Sequence, residues 1–264
     1  MVRFDYHTHS NYSDGYFIPA MVRAAENAGL AGIGFADHCN VTADGAARRR
    51  LDGLGFALDE TYPRRRAGIE WARTETDIAI FDAVEMDYVP GREDDIAAFL
   101  ADAGFDYAVG SVHSVDGYDV QWSENFVGLD DDGRRAVVDG YYENLAALAA
   151  SELFEIAAHA DLVERTPELR GYATAEHYEQ VAAAFADSDT VPEINAGRAL
   201  ADDGEFHPEP ALLDTFLDHG VEFVVGSDAH RPEELTSRID ALDALLDDRG
   251  IEPTTLQGCT RPDC

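Results

Sequence analysis

Lysine is absent from the 264 residues: all 19 bases are arginine, set against 53 Asp and Glu for a formal net charge of −34. A field of that sign and size repels phosphate backbones and anionic membranes at low ionic strength, so neither is an expected partner. Cysteine is also scarce. Cys39, Cys259 and Cys264 make no disulfide framework. The last two lie in a polar tail, Gly-Cys-Thr-Arg-Pro-Asp-Cys, which is expected to fray rather than pair or bind metal. No apolar run approaches membrane-spanning length, and the opening Met-Val-Arg-Phe-Asp-Tyr-His lacks a signal-peptide core. The cytoplasm is therefore the expected location.

The acids are dispersed rather than clustered, with Glu93, Asp94 and Asp95, Asp130 to Asp132, and Asp247 and Asp248 on different predicted helices. That pattern points to a solvated surface and not to a patch for a basic partner. Concentrated salt shortens the Debye length and removes most of the self-repulsion. Acid-rich, lysine-free surfaces resemble those of proteins from salt-loving organisms.

Short apolar runs alternate with amphipathic stretches, the pattern of strands joined by helices around a parallel sheet. Seven strands are expected: Arg3–Thr8, Gly32–Asp37, Ala79–Met86, Tyr107–Val112, Leu153–Ala158, Val191–Ile194 and Val221–Ser227. Helices are expected from Pro19 at the first helical position to a stop at Gly29, then over Arg92–Ala103, Arg134–Ser151, Ala175–Ala186, Pro210–His219 and Pro232–Asp248. Val41–Asp77 reads as a helix plus a mobile loop. Its arginines, Arg48 to Arg50 and Arg64 to Arg66, either pair with carboxylates or face an anionic ligand, and pairing is the simpler reading. No composition shift divides the chain, so residues 1–250 form one barrel domain and 251–264 a tail.

Histidines and acids recur at the strand ends. His7 and His9 end the first strand at i, i+2 spacing, which puts both on one face. His38 ends the second, Glu85 the third, His113 and His159 follow the fourth and fifth, and Asp228 and His230 end the seventh. In a closed α/β barrel these ends share one rim, where active sites are built. One histidine at a strand end is ordinarily a structural residue. Six of the 9 histidines in the same relative place are hard to explain by packing. Imidazole and carboxylate suit zinc, iron and manganese alike. Eight such groups exceed one tetrahedral ion, so two or three divalent ions with a bridging carboxylate are expected. His177, His207 and His219 read as structural, and lining the pocket is the alternative for His207 in its loop after Arg198.

The motifs Asp-Tyr-His-Thr-His-Ser, Asp-His, Gly-Ser-Val-His-Ser-Val-Asp-Gly, His-Ala-Asp-Leu, Glu-Ile-Asn-Ala-Gly-Arg and Gly-Ser-Asp-Ala-His resemble, in order and over nearly the whole chain, the polymerase-and-histidinol-phosphatase (PHP) family, and its histidinol-phosphatase branch most closely. The resemblance implies a distorted, TIM-like (β/α)7 barrel with a trinuclear metal centre. It implies one ion on His7, His9, Glu85 and Asp228, a second sharing Glu85 with His113 and His159, and a third on His38, His230 and Asp14, where some relatives carry histidine.

Cations so held make water nucleophilic near neutral pH and offset charge on phosphate oxygens. Arg198 is expected as a bidentate phosphate clamp, since its planar fork matches a phosphate edge. Arg165 is a second basic contact or a salt-bridge partner of Glu164 or Glu168. Asn195 binds substrate or a backbone loop, and Asp228 or a metal-held water protonates the leaving group. The expected reaction is hydrolysis of a small phosphomonoester, L-histidinol phosphate first. A nucleotide phosphate or other small ester, or a non-catalytic metal-binding module, are the alternatives. The sequence is silent on oligomeric state.

Overall fold

A computed structural model describes residues 1–42, 46–201 and 204–256. Cys259 and Cys264 lie outside the described residues, as does the side chain of Arg50.

Seven parallel strands form one sheet in the order β1 (Phe4–Thr8), β2 (Gly32–Cys39), β3 (Ala79–Asp87), β4 (Tyr107–Ser111), β7 (Ile156–Ala157), β8 (Val191–Asn195) and β9 (Val224–Gly226). A small hairpin, β5 (Ser114–Val115) with β6 (Tyr118–Asp119), follows β4. The sheet curls until its edges meet: Asp228 N–H donates to His7 O at 2.7 Å and His9 N–H to Ala229 O at 3.0 Å. The fold is thus a nearly closed, distorted TIM-like (β/α)7 barrel, as expected.

Each strand is covered on both faces, which is why the strands read as continuous apolar runs. On β3 the alternation is plain. Phe81, Ala83, Glu85 and Asp87 point inward, the first two into a cluster with Tyr6, Ala36, Tyr107, Val109 and Val224. Val84 and Met86 point outward into the larger core beneath the helices. The β1–β2 register shifts between Asp5 and Thr8. Across that irregularity Tyr6 joins the inner cluster while its neighbour His7 reaches the site above it.

The helices are α1 (Ile18–Asn27), α2 (Ala46–Leu54), α3 (Leu58–Arg73), α4 (Glu93–Ala103), α5 (Asp131–Ala150), α6 (Ala175–Ala186), α7 (Pro210–Asp218) and α8 (Pro232–Arg249). Pro19 stands second in α1 rather than first. Gly29, at φ +76°, ends that helix in a conformation that suits glycine best. Residues 251–256 return beneath the barrel, where Thr254 N–H donates to Phe223 O at 2.7 Å and Leu256 N–H to Tyr6 Oη at 3.3 Å.

The segment after β2 departs from expectation. In place of one helix and a mobile loop it forms α2 and the 16-residue α3. The buried stripe of α3 is Leu58, Arg65, Ile69 and Ala72, so an arginine occupies an apolar position and hides the helical period. Arg65 is wholly buried, and its guanidinium bonds Asp37 at 2.8 Å and Asp82 at 2.7 Å. Arg66 pairs with Asp82 at 2.6 Å, and Arg48 with Asp59 at 2.7 Å and Asp52 at 2.8 Å. These arginines brace the fold.

Candidate metal centre

The strand ends bring every expected ligand to one place around Glu85. Its Oε1 accepts from Ser111 Oγ at 2.6 Å and lies 3.1 Å from His159 Nε2 and 3.3 Å from His113 Nε2. Its Oε2 faces the other group: His38 Nδ1 at 2.6 Å, His7 Nε2 at 3.6 Å and His9 Nε2 at 3.8 Å. Asp228 Oδ1 lies 3.3 Å from His9 Nε2 and 3.7 Å from His230 Nδ1. From the loop after β1, Asp14 comes within 3.3 Å of His230 Nε2, 3.6 Å of His9 Nδ1 and 3.7 Å of His38 Nε2.

A surrounding layer aims these groups. Asp87 Oδ1 lies 2.6 Å from His113 Nδ1, and both Glu193 oxygens flank His7 Nδ1 at 3.0 and 3.1 Å. Asp37 accepts from Ser10 N–H, Ser10 Oγ and Ser13 Oγ at 2.6–2.7 Å, so the pair it forms with Arg65 anchors the loop that carries Asp14. Gly226 is required by close approach: a Cβ there would lie 2.2 Å from Glu193 Oε2 and 2.8 Å from His7 Cβ. His159 and Asp228 take positive φ, +28° and +52°, a conformation that costs non-glycine residues of order 1–3 kcal/mol.

The charges pull against one another. Burial pushes His9 toward its neutral form, aided by His230 and His38, and holds His159 down at about 4. At His113 burial is outweighed by Glu85 and Asp87, which lift it to about 9. At His7 and His38 it is outweighed by Glu85 together with Glu193 or Asp14. Glu85 and Asp228, though buried, are held well below the usual carboxylate range by the surrounding imidazoles.

The donor set fits divalent cations. His7 Nε2, His9 Nε2 and Glu85 Oε2 are buried without a hydrogen-bond partner among the described residues, the 2.6 Å approach of His38 Nδ1 lacking hydrogen-bond alignment. Orphaned polar atoms of this kind are costly unless a ligand satisfies them. Three sets each bring one ligand atom per residue within 4.8 Å of the others: His9, Asp14, His38 and His230; His7, His9 and Glu85; His38, Glu85 and His113.

The cluster opens into a cavity of about 130 Å³. Leu51, Leu54 and Phe56 form an apolar wall, and Ser114 and Asp119 of the hairpin, with Gln121 just beyond it, another. Arg165 lines it; Arg198 does not, and lies 3.7 Å from Glu205. Asn195 is wholly buried and fully engaged. It donates to Glu193 at 2.7 Å and Asp228 at 3.3 Å, and accepts from Gly197 N–H at 2.8 Å and Arg165 at 3.2 Å. Its hydrogen bonds run to a backbone N–H and to neighbouring side chains. His207 is buried beside Asp161 and Arg165 rather than in the cavity wall. His177 caps α6, and His219 pairs with Glu179 at 2.8 Å.

The roles of Glu193, Asp87, Asp161 and Arg65 were not read from the sequence. A carboxylate two residues past Glu85, or in Glu-Ile-Asn, was the available signal.

Comparison with known proteins agrees with this fold. An inferred histidinol-phosphatase of Deinococcus radiodurans is 27% identical over 243 residues, 85% of each chain. The crystal structure of histidinol phosphate phosphatase from Lactococcus lactis, complexed with zinc, L-histidinol and phosphate, superposes with a TM-score of 0.76 at 21% identity over 97% of each chain. An inferred histidinol phosphatase of Listeria monocytogenes superposes with a TM-score of 0.73 at 20% identity, over 88% of this chain and 97% of that one. The PHP-domain model matches residues 5–197, most of the barrel and all but two of the clustered ligands, and the chain belongs to the PHP-domain family.

Proposed function

We propose that this chain is a divalent-metal phosphomonoesterase whose substrate is L-histidinol phosphate, released as L-histidinol and phosphate in histidine biosynthesis. The observation that carries the reading is the two-sided Glu85, each oxygen turned to a different set of histidines around a cavity that also holds an arginine. The Lactococcus lactis protein that shares the fold holds zinc, L-histidinol and phosphate.

The family resemblance implies how the ligands divide, and the proximity of His7, His9 and Glu85, and of Asp14, His38 and His230, is consistent with it. His7, His9, Glu85 and Asp228 would hold one ion, Glu85 with His113 and His159 a second, and Asp14, His38 and His230 a third. Zinc, manganese or iron would suit these donors. When bound, such ions supply Lewis acidity that makes water nucleophilic at neutral pH and offsets phosphoryl charge.

The chain's own residues do the rest. Arg165, at the cavity wall, takes the phosphate-binding role expected of Arg198, because its guanidinium reaches the cavity and that of Arg198 does not. Asp228, a carboxylate at the cavity, is the side chain offered for protonating the leaving alcohol. Leu51, Leu54 and Phe56 shield one side from water. Among the described residues no helix is long and apolar enough to cross a membrane. We place the enzyme in the cytoplasm of a salt-accumulating cell, on the strength of the net charge of −34 and the absence of lysine.

A substrate panel tests the reading. Reconstituted with zinc or manganese in concentrated KCl, the protein is expected to release phosphate from histidinol phosphate faster than from nucleotides or sugar phosphates. Faster release from a nucleotide would replace the substrate and keep the chemistry; release from none would remove the function.

A further inference from the structure

Arg165 is held from behind. Its Nε donates to His207 Nε2 at 3.0 Å, while Nη2 donates to Asn195 Oδ1 at 3.2 Å and sits 3.6 Å from Asp228 Oδ2. No described residue engages Nη1, which leaves that nitrogen for the cavity that Arg165 lines. On the far side of the imidazole, His207 Nδ1 lies 2.6 Å from Asp161 Oδ1, and Asp161 Oδ2 accepts from Glu209 N–H at 2.6 Å. Both Asp161 and His207 are buried, at 0% and 2% exposure. The backbone of His207 is pinned as well, bonded in both directions to Asn195 at 2.6 and 3.0 Å.

This chain of contacts allows one tautomer. A guanidinium is always a donor, so the Nε2 that faces it must present a lone pair. The imidazole proton then sits on Nδ1 and is donated to Asp161, a group that only accepts when ionised. Asp161 selects the tautomer, the tautomer makes His207 an acceptor, and the acceptor fixes the plane of the Arg165 fork.

We propose that Asp161 and His207 are a positioning pair for Arg165, setting its guanidinium to receive the phosphoryl oxygens of the substrate. The proposal rests on the reading of Arg165 as the phosphate contact. Neither residue touches the substrate; they act through the arginine. A free guanidinium on a flexible stem would bind phosphate too, but would lose side-chain entropy on doing so.

Asp161→Asn is the informative variant because it preserves shape. With its carbonyl kept on Glu209 N–H, the amide turns a donor toward His207 Nδ1. The imidazole proton moves to Nε2, where it opposes the Arg165 donor. His207→Gln is the matching rescue, since its amide offers a donor toward Asp161 and an acceptor toward Arg165. His207→Leu removes both.

The experiment is calorimetric titration of inorganic phosphate into the zinc-loaded full chain, with zinc content measured on each variant and KM and kcat on histidinol phosphate beside it. Asp161→Asn and His207→Leu should raise the phosphate Kd and the KM roughly ten- to a hundredfold, the worth of a charged hydrogen bond, at unchanged zinc content. His207→Gln should keep most of the wild-type affinity. In an Arg165→Ala background Asp161→Asn should cost nothing more. Wild-type phosphate affinity in Asp161→Asn, or an equal further loss in the Arg165→Ala background, would overturn the positioning role while leaving phosphatase function intact. A wild type that neither binds phosphate nor turns over any phosphomonoester would overturn the function itself and the pair with it.

Discussion

Glu193 straddles the ring of His7, its two oxygens 3.1 and 3.0 Å from Nδ1 across 186 positions of sequence. The contact engages Nδ1, leaves Nε2 facing Glu85 without a hydrogen-bond partner among the described residues, and so fixes which nitrogen the site can use. The same carboxylate accepts from His159 N–H at 3.1 Å and Asn195 Nδ2 at 2.7 Å, which ties three strand ends to one group.

Glu193→Ala should therefore weaken metal binding without removing a ligand. A carboxylate behind a metal-binding histidine is typically worth ~10–100-fold in affinity. Competition against a chromophoric chelator measures the loss, and wild-type affinity in the variant would deny Glu193 this role.

Arg65 is the structural counterpart. Its guanidinium is wholly buried between Asp37 and Asp82, and removing it strands two carboxylates away from water. Arg65→Ala should cost about 3–5 kcal/mol in urea unfolding, as expected when one partner of a buried pair is deleted. Because Asp37 holds the loop of Ser10 and Ser13, the Asp14 side of the metal centre should loosen with it.

How much of this was legible in the sequence follows from what each residue depends on. The seven strands were legible because parallel strands buried on both faces leave continuous apolar runs. The gathering of the histidines and acids at one place was legible because a barrel brings its strand ends together whatever the loops do. Helix α3 was not, because Arg65 occupies a core position and is satisfied by acids on β2 and β3. Nor was the placement of Arg165, and not Arg198, at the cavity. Both follow strand ends, and only the turn that carries Arg198 toward Glu205 separates them. The partnerships of Glu193 with His7, and of Asp161 with His207, depend on approaches between strands that no local pattern encodes.

Glu164 gives a pH dependence away from the metal centre. Burial raises its carboxyl from an ordinary 4.5 to about 7; Asp161 and Glu209 add to the rise, while Gly171 N–H and Arg170 oppose it. The folded chain then holds this proton more tightly than the unfolded chain, so its contribution to stability falls as pH rises from 4.5 to about 7. Glu164→Gln should flatten the melting temperature across that window. An unchanged pH profile in the variant would place the dependence elsewhere.

Salt should matter more than any single residue. With 53 acids against 19 bases, self-repulsion is screened only when the Debye length is short. The melting temperature should climb steeply with KCl and continue to climb beyond physiological strength. A flat response would mean that the surface charge is not a salt adaptation.

Glu85→Ala tests the centre most directly, through the metal equivalents that each chain retains after dialysis. Wild type is expected to retain at least two, and the variant to lose at least one along with phosphate release, because a single carboxylate serves both histidine sets. Full metal retention with undiminished turnover in Glu85→Ala would contradict a shared bridging carboxylate and the multinuclear site built on it.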